Sequence, residues 1–413
     1  MNGRIYFIEG NHDSRWYGKI KNFEYLPPIY ELKHNKQLYV LSHYPLREWN
    51  KSFYASYHTF GHCLDEETEI LTEAGWKSHL TISSSDLVCT MNIETNAFEF
   101  NDIKDIIKYS YTGDVVNIKS KGLDLNITDE HVLVFKNKRT NKNYKELAKE
   151  LISSKRKTFI KSGLMKRGGV NISDNYLRLL VWIASDGSLH NSSLVRIKLE
   201  KTRKIKRLES LLESMNLPYR KIIKEDYVSF NFNLIKEDFN LSSLKPLPKE
   251  LLNCNKNQLE VILEEYSHTD GKMYNDTLCI WTSKKEEVDL LQSMCITNEY
   301  QCNYDKRIGH GFSKKPNYTL SITKGITRDV TDTSKKSFSQ HVEDKLYWCV
   351  KVKNGTIIVR RNGKPVVVGN CHGNLAPRGL SFDIGVDCWD GYPVSIEEVN
   401  ERMESLKYEQ SDV

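Results

Sequence analysis

Two short stretches, far apart in this chain, read as the halves of one. Phe60-Gly61-His62 runs into Cys63-Leu64-Asp65, and Val366-Val367-Val368-Gly369-Asn370 runs into Cys371-His372-Gly373. Removing everything from Cys63 through Asn370 leaves Gly61-His62-Cys371-His372-Gly373, with two imidazoles one residue apart, a spacing that suits a metal centre. A cysteine opening the removable segment, an asparagine closing it and a cysteine just after it are the groups needed to excise a segment through thioesters and a cyclised asparagine. The sequence reads as a protein inside a protein.

At 413 residues the chain exceeds one typical domain, and two or three are expected. No apolar run approaches the roughly 18 residues of a membrane helix. The N-terminus lacks the apolar core of a secretory signal, so a cytoplasmic protein without membrane association is expected. The nine cysteines are an odd set without a Cys-x-x-Cys pair, which argues against a disulfide framework or zinc ribbon and for free thiols. The net charge of +6 is uneven: residues 138–224 hold 22 Lys or Arg against 7 Asp or Glu. A local excess of that size favours a polyanion, and nucleic acid is the obvious one.

Within residues 1–62, Ile5-Tyr6-Phe7-Ile8 reads as a buried strand delivering Gly10-Asn11-His12-Asp13, and Leu38-Tyr39-Val40-Leu41 as a second one delivering Ser42-His43-Tyr44-Pro45. Together with Gly61-His62-Cys371-His372, these elements resemble the calcineurin-like metallophosphoesterases. The resemblance implies an α/β host. Asn11, His43 and His62 would bind one metal, His372 would bind a second, and His12 would lie beside the phosphate. A complete host site of that family takes two divalent transition metals. The family's earlier Asp-x-His and Gly-Asp elements have no counterpart before Gly10, so even the joined flanks are expected to fall short of a full two-metal centre. Residues 371–413 continue the resemblance through Ser381 to Asp387 and close with a charged helix over Ile396 to Tyr408.

Residues 63–165 and 326–370 are rich in short strands, among them Ile70-Leu71, Val115 to Ile118, His131 to Phe135, Trp348 to Val352, Ile357 to Val359 and Val366 to Val368, with turns at Asn354-Gly355 and Asn362-Gly363. An all-β module made of two separated pieces is expected. Cys63 with Thr68-Glu69-Ile70-Leu71-Thr72 and Gly75-Trp76, the Thr128-Asp129-Glu130-His131 element, Trp348-Cys349-Val350 and the Asn370-Cys371 end together resemble the horseshoe-shaped splicing domain of inteins. The resemblance implies that Cys63 attacks the His62 carbonyl, with Thr128 and His131 activating that bond. Cys371 then captures the acyl group and Asn370 cyclises. No cofactor is implied for splicing. The family commonly carries a histidine before the terminal asparagine, where this chain has Gly369. Another donor, a held water, Cys349 or a second use of His131 remain open for activating Asn370.

In residues 166–325, Leu177, Leu180, Val181 and Ala184 repeat at helical spacing from a Ser173-Asp174 cap to Asp186-Gly187. A second apolar helix runs from Leu259 to His268 and ends in Thr269-Asp270-Gly271. Each is followed by strand-like residues and a further amphipathic helix, the later one opening with a Ser283 to Glu286 capping box. Asp186 and Asp270 are 84 apart, and Leu208 and Leu291 are 83 apart, so the halves keep register. These two helices resemble the signature helices of LAGLIDADG homing endonucleases. The resemblance implies a monomeric pseudo-twofold α+β nuclease of double-stranded DNA in which Asp186 and Asp270 hold Mg²⁺. Arg196, Lys198, Tyr227, Lys306, Arg307 and Lys315 are the candidate DNA contacts.

The expected architecture is therefore multidomain. An all-β horseshoe in two pieces carries an inserted α+β nuclease and is flanked by the two parts of an α/β phosphoesterase-like host. The alternative is a phosphoesterase-like hydrolase with a DNA-binding insertion that never leaves.

Overall fold

Runs of Val, Ile, Tyr and Thr cut by Asn-Gly turns put much of this chain into sheets. The computed structural model describes residues 5–8, 23–27, 29–42, 57–58, 63–190, 193–308, 316–370 and 394–409. The strands Asp105–Ser120 and Ser337–Lys351 pair antiparallel along most of their length, with a register shift between Tyr111 and Gly113. Leu123–Thr128 and the two-residue strand Leu64–Asp65 close them into a barrel. Val115, Val116, Ile118, Leu125, Ile127 and Trp348 belong to one hydrophobic cluster and are completely buried.

An eleven-stranded sheet lies alongside. At its centre run Glu69–Thr72, Thr356–Arg361, Lys364–Gly369 and Val132–Lys136, in that spatial order. The strands before and after the helical region are thus interleaved in one sheet. The hairpin Thr356–Arg361/Lys364–Gly369 turns at Asn362 and Gly363, whose φ angles of 47° and 75° fit the left-handed turn that suits sheet twist.

Between these strands the chain follows one plan twice. Helix α1 (Asp174–Asp186), a hairpin, helix α2 (Thr202–Ser214) and a second hairpin are succeeded by α3 (Lys256–His268), a hairpin, α4 (Lys285–Ile296) and a last hairpin. Each half owns a four-stranded sheet with the same strand order. Leu177, Leu180, Val181 and Ala184 of α1 are buried, as are Leu259, Ile262 and Leu263 of α3.

Two caps differ from expectation. Ser173 takes the N-cap position of α1 without a side-chain cap bond. The Ser283 to Glu286 box does not form, because the Thr282 hydroxyl accepts from the Lys284 amide at 3.2 Å and the helix starts one residue later, after Lys284. A full capping box stands instead at Asn255 and Gln258, opening α3.

Of the flanks, the described residues give Ile5–Ile8 paired in parallel with Phe23–Leu26, and a hairpin Ile29–His34/Gln37–Ser42 joined by Tyr57–His58. A helix spans Ile396–Glu409, and the Tyr39 hydroxyl donates to Asn400 Oδ1. Asn11, His12, His43, His62, Cys371 and His372 lie outside the described residues, as does Lys315. The phosphoesterase architecture expected for the flanks is not shown. Among the described residues no helix is long and apolar enough to cross a membrane.

One buried cluster crosses from the strands to the helices. Leu71, Met91, Phe98, Ile358 and Val367 of the large sheet belong to the same core as Leu180, Trp182, Ile262 and Leu291. Arg360, fully buried on the closing hairpin, is the polar counterpart of that contact. Its guanidinium donates to Glu69 Oε2 at 2.8 Å, to Asp289 Oδ1 at 2.5 Å and to Gln292 Oε1 at 2.9 Å. It also lies 4.3 Å from the Trp76 ring centroid and 5.4 Å from that of Tyr304. Replacing Arg360 with Leu strands two carboxylates at the seam, and should cost about 3 kcal/mol in urea denaturation while the transition remains single.

Candidate functional site

The barrel strand Leu64–Asp65 pairs with Ile127 on one side and with Tyr347 and Trp348 on the other. That pairing fixes Cys63, which is buried, at the mouth of the Thr128 to His131 turn. The Thr128 hydroxyl accepts from the Cys63 amide at 3.3 Å and lies 3.5 Å from the Cys63 carbonyl oxygen. The Thr128 amide donates to that same carbonyl at 3.2 Å. The turn is tied by the His131 amide on the Thr128 carbonyl at 3.0 Å, and the His131 carbonyl accepts from Ala148 at 2.8 Å. His131 is wholly buried.

Cys349 is also wholly buried, its Sγ donating to the Val350 carbonyl at 3.6 Å. The register Tyr347 to Asp65 and Trp348 to Leu64, continued by one residue, sets Cys349 across from Cys63. Trp348 closes this corner, its indole N–H donating to the Asp65 carbonyl at 3.1 Å.

The other end of the segment arrives at the same turn. Val368 pairs with Leu133 on the strand that His131 leads into. A Cβ placed on Gly369 would sit 2.8 Å from the Val132 carbonyl oxygen and 2.9 Å from Val132 Cβ. Position 369 therefore has no room for a side chain, which gives a steric reason for glycine there. Asn370 is buried; its backbone N–H donates to the Gly355 carbonyl at 3.2 Å and its Nδ2 to the Val352 carbonyl at 3.2 Å. The structure thus brings Cys63, Thr128, His131, Cys349 and Asn370 around one turn. Within that turn the Asp129 carboxyl is pushed up to about 6, by burial first and then by Glu130 and Asp114, against the pull of Lys149.

A second polar cluster lies where α1 and α3 end side by side. The helices are held together by Trp182, whose indole N–H donates to Glu265 Oε1 at 2.7 Å, and by Ser185, whose hydroxyl donates to Thr269 Oγ1 at 3.1 Å. Glu265, unusual at a helix interface, is neutralised by Arg207 at 2.7 Å from its Oε2, which makes a buried acid tolerable there. Gly187 and Gly271 are required by crowding. A Cβ would lie 2.7 Å from the Ile183 carbonyl oxygen in the first case and 2.7 Å from that of Tyr266 in the second.

Just before these glycines, Asp186 and Asp270 share a cation. Lys204 Nζ is 2.7 Å from Asp186 Oδ2 and 3.6 Å from Asp270 Oδ1. Lys284 donates to the Ala184 carbonyl at 3.0 Å, and Lys245 to the Gly187 carbonyl. Burial, then the neighbouring Asp186, raises the Asp270 carboxyl above the ordinary range. A cavity of about 260 Å³ opens beside Asp270, Lys284 and Glu287. Among the described residues no group of three or more His, Cys, Asp or Glu converges on a metal site. Two carboxylates around a point already occupied by an ammonium still fit Mg²⁺, which is often held by one or two carboxylates, waters and substrate phosphates.

The sheet after each helix alternates as a half-buried sheet should. Val195, Ile197 and Leu199 point inward, leaving Arg196 and Lys198 on the other face. Arg196 Nε donates to Asn231 Oδ1 at 2.8 Å, and Lys198 Nζ lies 5.1 Å from the Tyr227 ring centroid. Lys306 and Arg307 are exposed near the end of Tyr300–Ile308. Sequence reasoning missed Lys204, whose only signal was its place in the basic stretch 138–224, and Lys245 and Lys284, which carried no local signal.

The chain matches no protein-family profile. It is 22% identical over 362 residues to the ribonucleoside-diphosphate reductase subunit beta of Aquifex aeolicus, covering 76% of this chain and 50% of that protein. It is 29% identical over 84 residues to the ATP-dependent Clp protease proteolytic subunit of Chlamydomonas moewusii, 20% of this chain and 8% of that one. The chain thus spans half or less of the curated relatives it matches. Its structural neighbours include the AceL NrdHF class 3 split intein, at a TM-score of 0.28 and 9% identity over 75% of this chain and 97% of that one. They also include the homing endonuclease I-DmoI in complex with DNA and Mn, at a TM-score of 0.28 and 14% identity over 37% of this chain and 91% of that one. Likenesses this slight set neither fold nor activity, which rest on the residues and their geometry.

The ionised Asp129 is disfavoured in the fold, so its cost is present above about pH 6 and absent below the ordinary carboxylate pKa of 3.8. Asp129→Asn should accordingly raise the melting temperature at about pH 8 and leave it unchanged at about pH 3, as scanning calorimetry would read.

Proposed function

We propose that this chain excises residues 63–370 from itself and joins His62 to Cys371, and that the excised segment cuts double-stranded DNA at a specific site. The observation that carries the reading is that both ends of the segment meet the Thr128 to His131 turn: Cys63 through the Thr128 hydroxyl, and Gly369-Asn370 through Val132. Chain ends brought to one catalytic-type turn suit a reaction that joins what lies beyond them.

In this reading Cys63 Sγ attacks the His62 carbonyl and the amide becomes a thioester. Thr128 Oγ1, beside the Cys63 nitrogen, holds the departing amine, and His131 supplies its proton. Cys371 takes over the acyl group. Asn370 then cyclises through its side-chain nitrogen, freeing the segment, and the thioester on Cys371 rearranges to an amide. Splicing takes no cofactor.

For the nuclease, Asp186 and Asp270 at the two helix ends would hold Mg²⁺. The metal supplies charge neutralisation at the scissile phosphate and an activated water. Lys204 orients both carboxylates and Lys284 sits beside them, adding positive charge towards the DNA backbone. Arg196, Lys198 and Tyr227 on one sheet, with Lys306 and Arg307 on the other, form the groove face. Residues 63–165 with 326–370 are the splicing part, residues 166–325 the nuclease, and residues 1–62 with 371–413 the host.

Intact mass after expression in reducing buffer should give two smaller species, the 63–370 segment and the joined flanks. A persistent single full-length mass would sink the reading. Changing Cys63 and Asn370 together to Ala should preserve the precursor. The pair Asp186→Asn and Asp270→Asn should abolish Mg²⁺-dependent cutting of DNA that encodes the uninterrupted His62 to Cys371 junction, by about a thousandfold or more, with splicing yield unchanged. Loss of splicing in a folded double variant would contradict the separation of the two activities.

A further inference from the structure

The Gly369 position has no room for a histidine, so activation of Asn370 must come from elsewhere in the fold. Asn370 presents its two side-chain atoms to different neighbours. Nδ2 donates to the Val352 carbonyl at 3.2 Å, which fixes the amide plane. Oδ1 lies on the side of the Asn354-Gly355 turn, and a Cβ placed on Gly355 would be 3.6 Å from Asn370 Oδ1 and 3.6 Å from Lys145 Nζ. The carbonyl oxygen and the ammonium therefore flank the same small space, and a glycine at φ +63° keeps that space open. Lys145 reaches it from the strand Asn143–Leu147, opposite Val134. Its neighbour Glu146 is turned to another partner, Lys157. No carboxylate among the described residues pairs with Lys145.

We infer that Lys145 is the cation that promotes cyclisation of Asn370, an inference that rests on the splicing reading above. In this step the Asn370 Nδ2 forms a bond to the Asn370 main-chain carbonyl carbon, and the bond from that carbon to the Cys371 nitrogen breaks. One proton leaves Nδ2 and one is gained by the departing Cys371 amine, so the charge balance is kept. As Nδ2 loses its proton, negative charge gathers on Oδ1. An ammonium across the Gly355 space from Oδ1 stabilises that anionic form and makes Nδ2 the better nucleophile. Lys145 acts on the nucleophile, from a strand other than the one that leads into Asn370.

The test uses the full chain with Cys63→Ala, in which thioester chemistry is blocked and only cyclisation can cut after Asn370. Release of residues 371–413 is followed by intact mass. Lys145→Met should slow release at least about tenfold, and Lys145→Arg should recover most of it. In a parallel Asn370→Ala precursor, hydroxylamine cleavage at Cys63 should be equal with Lys145 and with Met at that position. An unchanged release rate in Lys145→Met overturns the inference and leaves the splicing reading standing. An equally slow Lys145→Arg, with hydroxylamine cleavage lost as well, overturns it in favour of a structural role. No release from the Cys63→Ala chain with Lys145 intact brings down the splicing reading and the inference together.

Discussion

A single guanidinium sits where the strands meet the helices. Arg360 lies on the hairpin that runs straight into Gly369 and Asn370, and it contacts Glu69 on one side and Asp289 and Gln292 of α4 on the other. A buried charge is tolerated only when paired and hydrogen-bonded on every side, so its partners must be brought to it before the sheet can close. The placement of Asn370 is therefore tied to the docking of α4. The hairpin turn makes the tie firmer: the Gln292 side-chain amide donates to the Gly363 carbonyl at 3.0 Å, and the Tyr304 N–H donates to the same carbonyl at 3.0 Å.

The two polar clusters are built by different means. Around Thr128 the geometry is made almost wholly by backbone: amides, carbonyls and the register of a two-residue strand place Cys63, and a glycine without clearance places Asn370. At the helix ends it is made by side chains, with Lys204 neutralising two acids that would otherwise repel each other. The first arrangement positions bonds of the chain itself. The second holds two carboxylates close together around one ammonium.

Much of this was legible because it is local. An apolar repeat ending in Asp-Gly declares where a helix stops, and α1 and α3 both end at that signal. The strands around Ile70, Val115, Ile357 and Val366 follow from β-branched runs between turns. The caps show where local reading fails: the Ser283 to Glu286 box does not form because the helix starts one residue later, after Lys284, while the Asn255 and Gln258 box was readable and overlooked. What could not be read is non-local. Lys204 reaches Asp186 across 18 positions, Arg360 reaches Glu69 across 291, and the clash that forbids a side chain at 369 involves a carbonyl from another strand. The flanking residues Asn11, His12, His43, His62, Cys371 and His372 lie outside the described residues, so the host centre implied by the sequence rests on the motif alone.

The shared core has a consequence for the history such a chain can have. Met91, Phe98, Ile358 and Val367 are covered by the helices of the repeated part, and their burial in one cluster with Trp182 and Leu291 means that deleting the repeat would leave an oily scar on the sheet. Point changes at Asp186 or Asp270, in contrast, touch only the rim. The repeated part could thus change at both of those acids and still serve as a supporting wall for the sheet.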